Sequence, residues 1–365
     1  MRVLHLPVNI ASLPSHTVRG LRQIGVEARG LVFGDMRYQS TVGLKAIHHD
    51  TCRSLTWLYR RLLFTGYVLR WSQWAEVLHW YFGTPALPWG LDLALMRVLN
   101  KAGVVEWLGS DIRIAEVECA DNPYYAAECA TERQSPSPSL RLSLERQKRF
   151  AAAGFACLVA ADMAQYVYPG LWSRVYCLPQ RIVVADYEPI YPDPAARRPV
   201  LVHSSTNPRL KGTSAVLQAV EHLKTKYNFE FRLISGTSRD ECLRSVREAD
   251  IFLDQFLLGS HGLAALEAMA YGKPVVGYIK PSLVERYPAD LPIINANPDN
   301  LADVLESLLQ SGRLRYEAGR RGRLYVEKHH DAVRLAPRLA EIYRQQWRQK
   351  RSGAQEAIVR ERWPW

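Results

Sequence analysis

Residues 258–278, LGSHGLAALEAMAYGKPVVGY, decide the fold class. They read as a glycine-rich turn at Gly259 and Gly262, a short helix, a second turn at Gly272–Lys273–Pro274, and a buried strand from Val275. Leu263, Leu266 and Ala270 recur at helical spacing, while Ala264 and Ala268 are small enough for close packing against a neighbour. A glycine turn feeding a helix leaves free backbone N–H groups and the positive end of the helix dipole pointing outward, which suits a phosphate. Glu267 lies just over one turn inside the helix and leans back toward that end. A carboxylate there repels phosphate but accepts hydrogen bonds from sugar hydroxyls beside it. Phosphate at the backbone and ribose at Glu267 together describe a nucleotide site. Helix-on-strand packing uses the same glycines and small residues, and spacing does not separate the two.

A chain of 365 residues favours two α/β domains of ordinary size. With 48% hydrophobic and 23% charged residues, it has the composition of a soluble globular protein. No run approaches the roughly 18 apolar residues of a membrane span, and the opening MRVLHLPVNI reads as a strand, not a signal peptide. Both point to the cytoplasm. The cysteines at 52, 119, 129, 157, 177 and 242 show no CxxC spacing, and Cys119 and Cys129 flank what reads as a loop. A net charge of +11 predicts attraction to something anionic: nucleic acid, acidic lipid or a phosphorylated substrate.

Working back from the opening stretch, Ile251–Asp254 is the strand that leads into it, and Val200–His203 an earlier one. The loop SSTNPRLKG (204–212) follows, with Arg209 and Lys211 between strand and helix. Two cations at the carboxyl edge of a parallel sheet would neutralise a diphosphate. Prolines at 179, 189, 192, 194 and 199 mark a linker. The boundaries expected are an N-terminal domain at 1–180, a linker at 181–199, a C-terminal domain at 200–347 and a basic tail at 348–365.

At the other end, Val3–Leu6, the loop Pro7–Pro14, a helix from Ser15 and a strand at Ala28–Phe33 open a doubly wound parallel sheet. A ligand would approach that strand's end at Asn9–Ser12, although no GxGxxG is present. Val104–Trp107 ends in Leu108-Gly109-Ser110-Asp111, which brings Gly109 and Asp111 to the same edge; Asp111 also suits a helix N-cap. Residues 52–100 interleave Trp57, Tyr59, Phe64, Tyr67, Trp71, Trp74, Trp80, Tyr81, Phe82 and Trp89 with Arg53, Arg60, Arg61 and Arg70. Such a helix can lie in a membrane interface or pack as core with its arginines in solvent. Stacking on nucleic acid lacks any supporting motif. Pro123–Ser139, with SPSPS, reads as an exposed loop. The His-His-Asp triplets at 48–50 and 329–331 lack metal-ligand spacing.

Taken together, HSSTNPRLKGT (203–213), ADIFLDQFLLGSHGLAALEAMAYGKPVV (249–276) and GRRGRLYVEKHHD (319–331) resemble the retaining glycosyltransferases of family 4. In the first half, GSDIR (109–113) is similar to that family's HGSDIR element, and VNIASLPSHTVRGLRQIGVEA to its opening loop and helix. The resemblance implies the α/β GT-B fold, two facing Rossmann-like domains with parallel sheets and the active site in the cleft between them. Glu267 matches the second glutamate of the family's E-x7-E motif, which holds the donor's ribose. Gly262 and Leu263 match backbone positions under the diphosphate, with Ser260 beside them. Lys211 matches a phosphate-binding lysine, accompanied by Arg209. His261 stands where an aromatic residue faces the donor sugar. Asn9, Ser12 and Gly109 fall on the acceptor side, and Asp111, Lys211 and Glu267 are the catalytic candidates. Two positions depart from the pattern: the first glutamate is Gly259, and the histidine of HGSD is Leu108.

The function so implied is retaining transfer of a sugar from a nucleotide-diphosphate-sugar donor to a glycan, lipid-linked or other hydroxyl acceptor, in cell-surface polysaccharide or glycolipid synthesis. The donor is a substrate, and no cofactor or metal is expected. The expected partners are that donor, the acceptor and, at the periphery, an anionic membrane at its inner face; nucleic acid is not expected. A GT-B sugar-nucleotide 2-epimerase would need a cluster of catalytic carboxylates and histidines not found here. A non-catalytic nucleotide-sugar-binding protein would bind nucleotide and release none.

Overall fold

The computed structural model describes residues 1–48, 55–130, 138–168 and 170–352, with the backbone of 359–360. Cys52, Arg53, two residues of the first His-His-Asp triplet, most of the SPSPS segment and the closing Trp363-Pro364-Trp365 lie outside them. The chain divides into two compact units. Unit 1 comprises Met1–Ala115, Ser137–Val183 and the stretch from Ala332 onward; unit 2 comprises Glu116–Pro136 and Val184–Asp331.

Unit 1 is built on a parallel sheet of β1 (Arg2–Leu6), β2 (Glu27–Gly34), β3 (Leu44–His48), β4 (Val77–Tyr81), β5 (Ala102–Trp107), β6 (Ala156–Val159) and β7 (Arg174–Cys177). The strand order is β7-β6-β5-β4-β1-β2-β3, with a two-residue strand at Val359–Arg360 added beside β7. The order reverses between β1 and β4, and in open α/β sheets a ligand crevice opens beyond the strand ends at such a switch. β4 (VLHWY) and β5 (AGVVEW) are buried along their whole length, as central strands covered on both faces must be. Two of their inward polar groups, His79 and Glu106, form a network with Arg181 and Tyr343 from later segments. Arg181 grips both oxygens of Glu106 at 2.9 and 2.6 Å, and His79 Nε2 lies 3.0 Å from the same carboxylate. His79 Nδ1 is 2.6 Å from the Tyr343 hydroxyl.

Tyr343 belongs to the Ala332–Ser352 helix, which lays Ala336, Leu339, Ala340 and Ile342 on this core. It crosses α1 (Leu13–Gln23) at Gly20, where a Cβ would stand 2.6 Å from the Ala332 carbonyl oxygen. Residues 332–347 therefore belong with the first unit and not with the C-terminal domain expected from the linker position. The physical reason is the apolar stripe of this helix, which completes the α1 side of the first sheet. The 116–136 segment is the converse case and clusters with unit 2. Within it, Ala115–Asp121 and Pro123–Ala130 are helices, where a loop from Pro123 was expected. Cys119 and Cys129 accordingly lie on helices.

The 52–100 stretch also differs from expectation. Its first part forms α2 (Leu55–Trp74), but Trp80 and Tyr81 lie on β4, fully buried. They are core residues, not interfacial ones.

Unit 2 carries a second parallel sheet of β8 (Val200–Ser204), β9 (Glu230–Ile234), β10 (Ile251–Leu253), β11 (Val275–Gly277) and β12 (Ile294–Asn295), in the order β12-β11-β10-β8-β9. Here the order reverses between β8 and β10. The core joins Leu201, Val216, Val220, Ile251, Leu253, Val276, Leu301 and Leu305. Both strand ends at the switch lead directly into the segments singled out in the sequence.

Candidate functional site

In unit 2 the two segments converge because each is shaped by its own capping residues. After β8, the Asn207 side chain accepts from the Leu210 N–H, Pro208 takes the first helical position, and Gly212 turns left-handed at φ 71°. One short turn results, and it delivers Lys211 to the end of β10. There Lys211 Nζ donates to Asp254 Oδ1 at 2.7 Å, while Asp254 Oδ2 accepts from the Gly262 N–H at 2.7 Å. Gly262 caps the Leu263–Ala270 helix; a Cβ on it would lie 3.2 Å from Lys211 Nζ and 3.3 Å from Asp254 Oδ1. An ammonium, a carboxylate and a helix N-terminus thus share one point at the sheet's switch. His203 locks that point from beneath. Its Nδ1 meets the Leu253 carbonyl and its Nε2 the Thr213 hydroxyl, each at 2.9 Å. Burial holds this imidazole neutral, its pKa pulled down to about 4.

The other sequence candidates are placed as follows. Glu267 is buried in the same helix, its Oε1 accepting from Arg239 at 2.5 Å and the Tyr187 hydroxyl at 2.9 Å. Leu263 is the buried first residue of the helix. The Ser260 carbonyl accepts from the Gln255 side-chain amide. The His261 ring is buried 5.0 Å from the Tyr287 ring and 5.7 Å from that of His330. The Arg209 guanidinium is bonded to the Glu128 carboxylate, as the Lys211 ammonium is to Asp254. The second His-His-Asp triplet disperses, His329 to Asp290 and Asp331 to the Val184 N–H.

Gly259, where a glutamate was to be expected from the E-x7-E pattern, has φ 63°. A Cβ there would sit 2.8–2.9 Å from three carbons of the Lys280 side chain. That stem is wholly buried, its ammonium paired with Glu118 at 3.1 Å and Asp121 at 2.6 Å. The Lys280 stem leaves no room for a side chain at 259, and the positive φ there suits glycine. Gly259→Glu is therefore expected to lower stability by about 1–3 kcal/mol without any gain in transfer, measured by urea unfolding and an activity assay.

In unit 1 the candidates lie at two strand ends. Beyond β1, Ala11 and Ser12 both hold positive φ, 51° and 61°, outside glycine's usual monopoly. Asn9 Nδ2 donates to the Ser40 carbonyl at 2.8 Å, and the Ser40 N–H donates to Ser12 Oγ at 2.8 Å. Both side chains hold the 35–42 loop. Beyond β5, the Asp111 carboxylate accepts from the N–H groups of Leu108 at 3.2 Å and Gly109 at 2.8 Å, and it caps this turn instead of a helix. Burial raises its pKa to about 6, although the backbone donors oppose the shift. A group so poised exchanges a proton close to neutrality.

Asp254, Arg239, Tyr187 and Lys280 escaped the sequence reading. Asp254 was visible as the residue ending a strand at a glycine-rich turn, the position where a side chain reaches a crevice. The other three meet their partners only through tertiary folding.

No protein-family model matches the chain, and no curated protein matches it in sequence. Solved structures do. Sucrose-phosphate synthase from Thermosynechococcus elongatus is 13% identical, with TM-score 0.61, over 95% of this chain and 100% of that one. HepE from Anabaena, in complex with UDP and glucose, is 12% identical with TM-score 0.56 over 94% and 99%. WaaG, a glycosyltransferase involved in lipopolysaccharide biosynthesis, is 14% identical with TM-score 0.54 over 94% and 99%. At such identities the likeness is one of fold, and nearly the whole chain shares it: two Rossmann-like units in the GT-B arrangement of elements.

Proposed function

We propose that the protein is a glycosyltransferase that takes a sugar from a nucleotide-diphosphate donor bound by unit 2 and passes it, with retention, to a hydroxyl acceptor bound by unit 1. The observation that carries this is the meeting of Lys211 and the Gly262-capped helix at the β8/β10 switch. Ammonium and helix N-terminus are the two commonest ways a protein holds phosphate. HepE was solved with UDP and with UDP-glucose, which makes uridine diphosphate the first nucleotide to test.

In this reaction the bond between the anomeric carbon and the phosphate oxygen breaks as the acceptor oxygen bonds to that carbon from the same face. The acceptor's proton passes to the departing phosphate oxygen. Lys211 and the N–H groups of Leu263 and Ala264 stabilise the charge that develops there. Glu267, held rigid by Arg239 and Tyr187, accepts from the ribose hydroxyls. Asp111 orients the acceptor hydroxyl, in a glycan or lipid-linked molecule serving polysaccharide or glycolipid synthesis.

Calorimetric titration with UDP and transfer assays across a donor panel test this reading, with the anomeric configuration of the product read by NMR. Failure to bind any nucleoside diphosphate would refute it. Nucleotide binding with neither transfer nor donor hydrolysis would select a non-catalytic binding protein, the reading that Gly259 favours. Glu267→Gln keeps the side chain's shape but loses its charge, and is expected to weaken UDP binding by about tenfold; it also unpairs Arg239, so a lower melting temperature is expected and binding is measured well below it.

A further inference from the structure

Helix α2 is apolar on two opposite sides, and among the described residues its own unit covers only one. Phe64, Val68 and Ser72 face inward and are buried. The Phe64 ring is 5.1 Å from that of Phe33, and the half-buried aromatics beside it are seated on neighbouring strands, the Arg29 guanidinium 4.0 Å over Trp74 and the Lys45 ammonium 4.3 Å over Tyr67. The opposite side carries Leu55, Leu58, Tyr59, Leu62, Leu63 and Leu69 at helical spacing, all exposed, Leu55 to 87% and Leu62 to 62%. Scattered exposed leucines are ordinary, but six large apolar residues on one stripe mark an interaction surface. Trp89 adds to it. Arg61 Nη2 donates to the Ala86 carbonyl at 2.6 Å, which brings that loop to α2, and three residues on Trp89 stands 95% exposed at φ 56°.

Charge decides the occupant. Residues 55–74 contain no Asp or Glu, and of their three arginines Arg60 and Arg61 are half-buried while Arg70 is exposed beside the stripe, in a chain of net charge +11. Tyr59 and Trp89 are the side chains that settle at the level of lipid headgroups. Among the described residues no helix is long and apolar enough to cross a membrane, so α2 would lie flat. We propose that α2 and Trp89 dock the protein on an anionic lipid surface. The leucines enter the acyl boundary, and Arg70 stays at the phosphate level. The tryptophans and arginines that suggested such contact in the sequence are mostly the ones turned inward; the leucines do the docking. This inference does not rest on the donor site.

Flotation of the full chain with vesicles of pure phosphatidylcholine, or of equimolar phosphatidylcholine and phosphatidylglycerol, tests it without reading any transfer. Wild type is expected to float with the anionic vesicles and to release as salt rises. Leu58→Gln/Leu62→Gln should lose at least about tenfold in vesicle affinity at an unchanged melting temperature, since both sites are exposed. Emission of Trp89, taken as the difference between wild type and Trp89→Phe, should shift to the blue on binding. Undiminished binding by the double variant, equal binding to both vesicle types, or no binding to either would overturn the proposal. A concentration-dependent dimer abolished by the double variant, without vesicle binding, would assign the face to a second copy and overturn it as well.

Discussion

Lys211→Met is expected to lower kcat for sugar transfer by about 10²- to 10³-fold, the usual loss when one preorganised donor to a developing oxyanion is removed. The effect is two-sided. Wild-type Lys211 balances Asp254, so the point where both meet the Gly262 N–H is close to neutral. Without the ammonium, a carboxylate exposed over only 1% of its side chain faces the incoming diphosphate alone, and UDP affinity should fall along with kcat. Asp254→Asn removes that charge while keeping an oxygen for the Gly262 N–H, so it should bind UDP more tightly by about tenfold. Lys211→Met/Asp254→Asn should then recover part of the binding lost in Lys211→Met, but not the rate. Initial rates and calorimetric titration of the three variants check this. Wild-type turnover in Lys211→Met would remove the lysine from the site.

The second large effect concerns stability. Glu106→Ala is expected to destabilise the protein by about 3–5 kcal/mol in urea unfolding, because it strands the Arg181 guanidinium in a dry core. The two side chains are exposed over only 2% and 1%. Replacing both partners, as Glu106→Met/Arg181→Met, should restore much of the loss, since the core then holds no unpaired charge. Burial alone would raise the Glu106 pKa, yet the charge of Arg181 and the hydrogen bonds from His79 and Arg181 bring it down to about 2. A carboxyl depressed in the folded state contributes stability that is complete above its ordinary range near 4.5. That contribution drains away as pH falls toward 2. Wild type should therefore lose stability in acid over that window, and the double methionine variant should lose less.

Both effects show where the sequence was legible and where it was not. The order of elements around 251–278 could be read because strand, glycine turn, small-residue helix and GKPVV each carry a local signature. The places of Glu267, in the helix of that stretch, and of Lys211, in the loop after β8, follow from the same local signatures. What could not be read is which charge each residue faces. Arg209 and Lys211 look alike in the sequence, but Glu128 and Asp254, 81 and 43 residues away, neutralise them in different places. Trp80 and Tyr81 were misassigned because aromatic residues suit a membrane interface and a buried strand equally. Only the flat hydrophobicity of VLHWY, without a helical period, marked the strand. Glycine at 259 is required by the Lys280 stem, a residue that no pattern connects to it.

The Ala332–Ser352 helix has a consequence for how the protein is made. Its apolar side completes the core of the unit whose first strand is residues 2–6, so that core lacks a wall until residues 332–352 have left the ribosome. Among the described residues, the core cluster of unit 2 is drawn from Leu201 to Leu314. The segment that completes the core of unit 1 is thus translated after the residues of the unit 2 core. The exposed β1, β4 and α1 surfaces of unit 1 must wait, unsatisfied, for a segment some three hundred residues downstream.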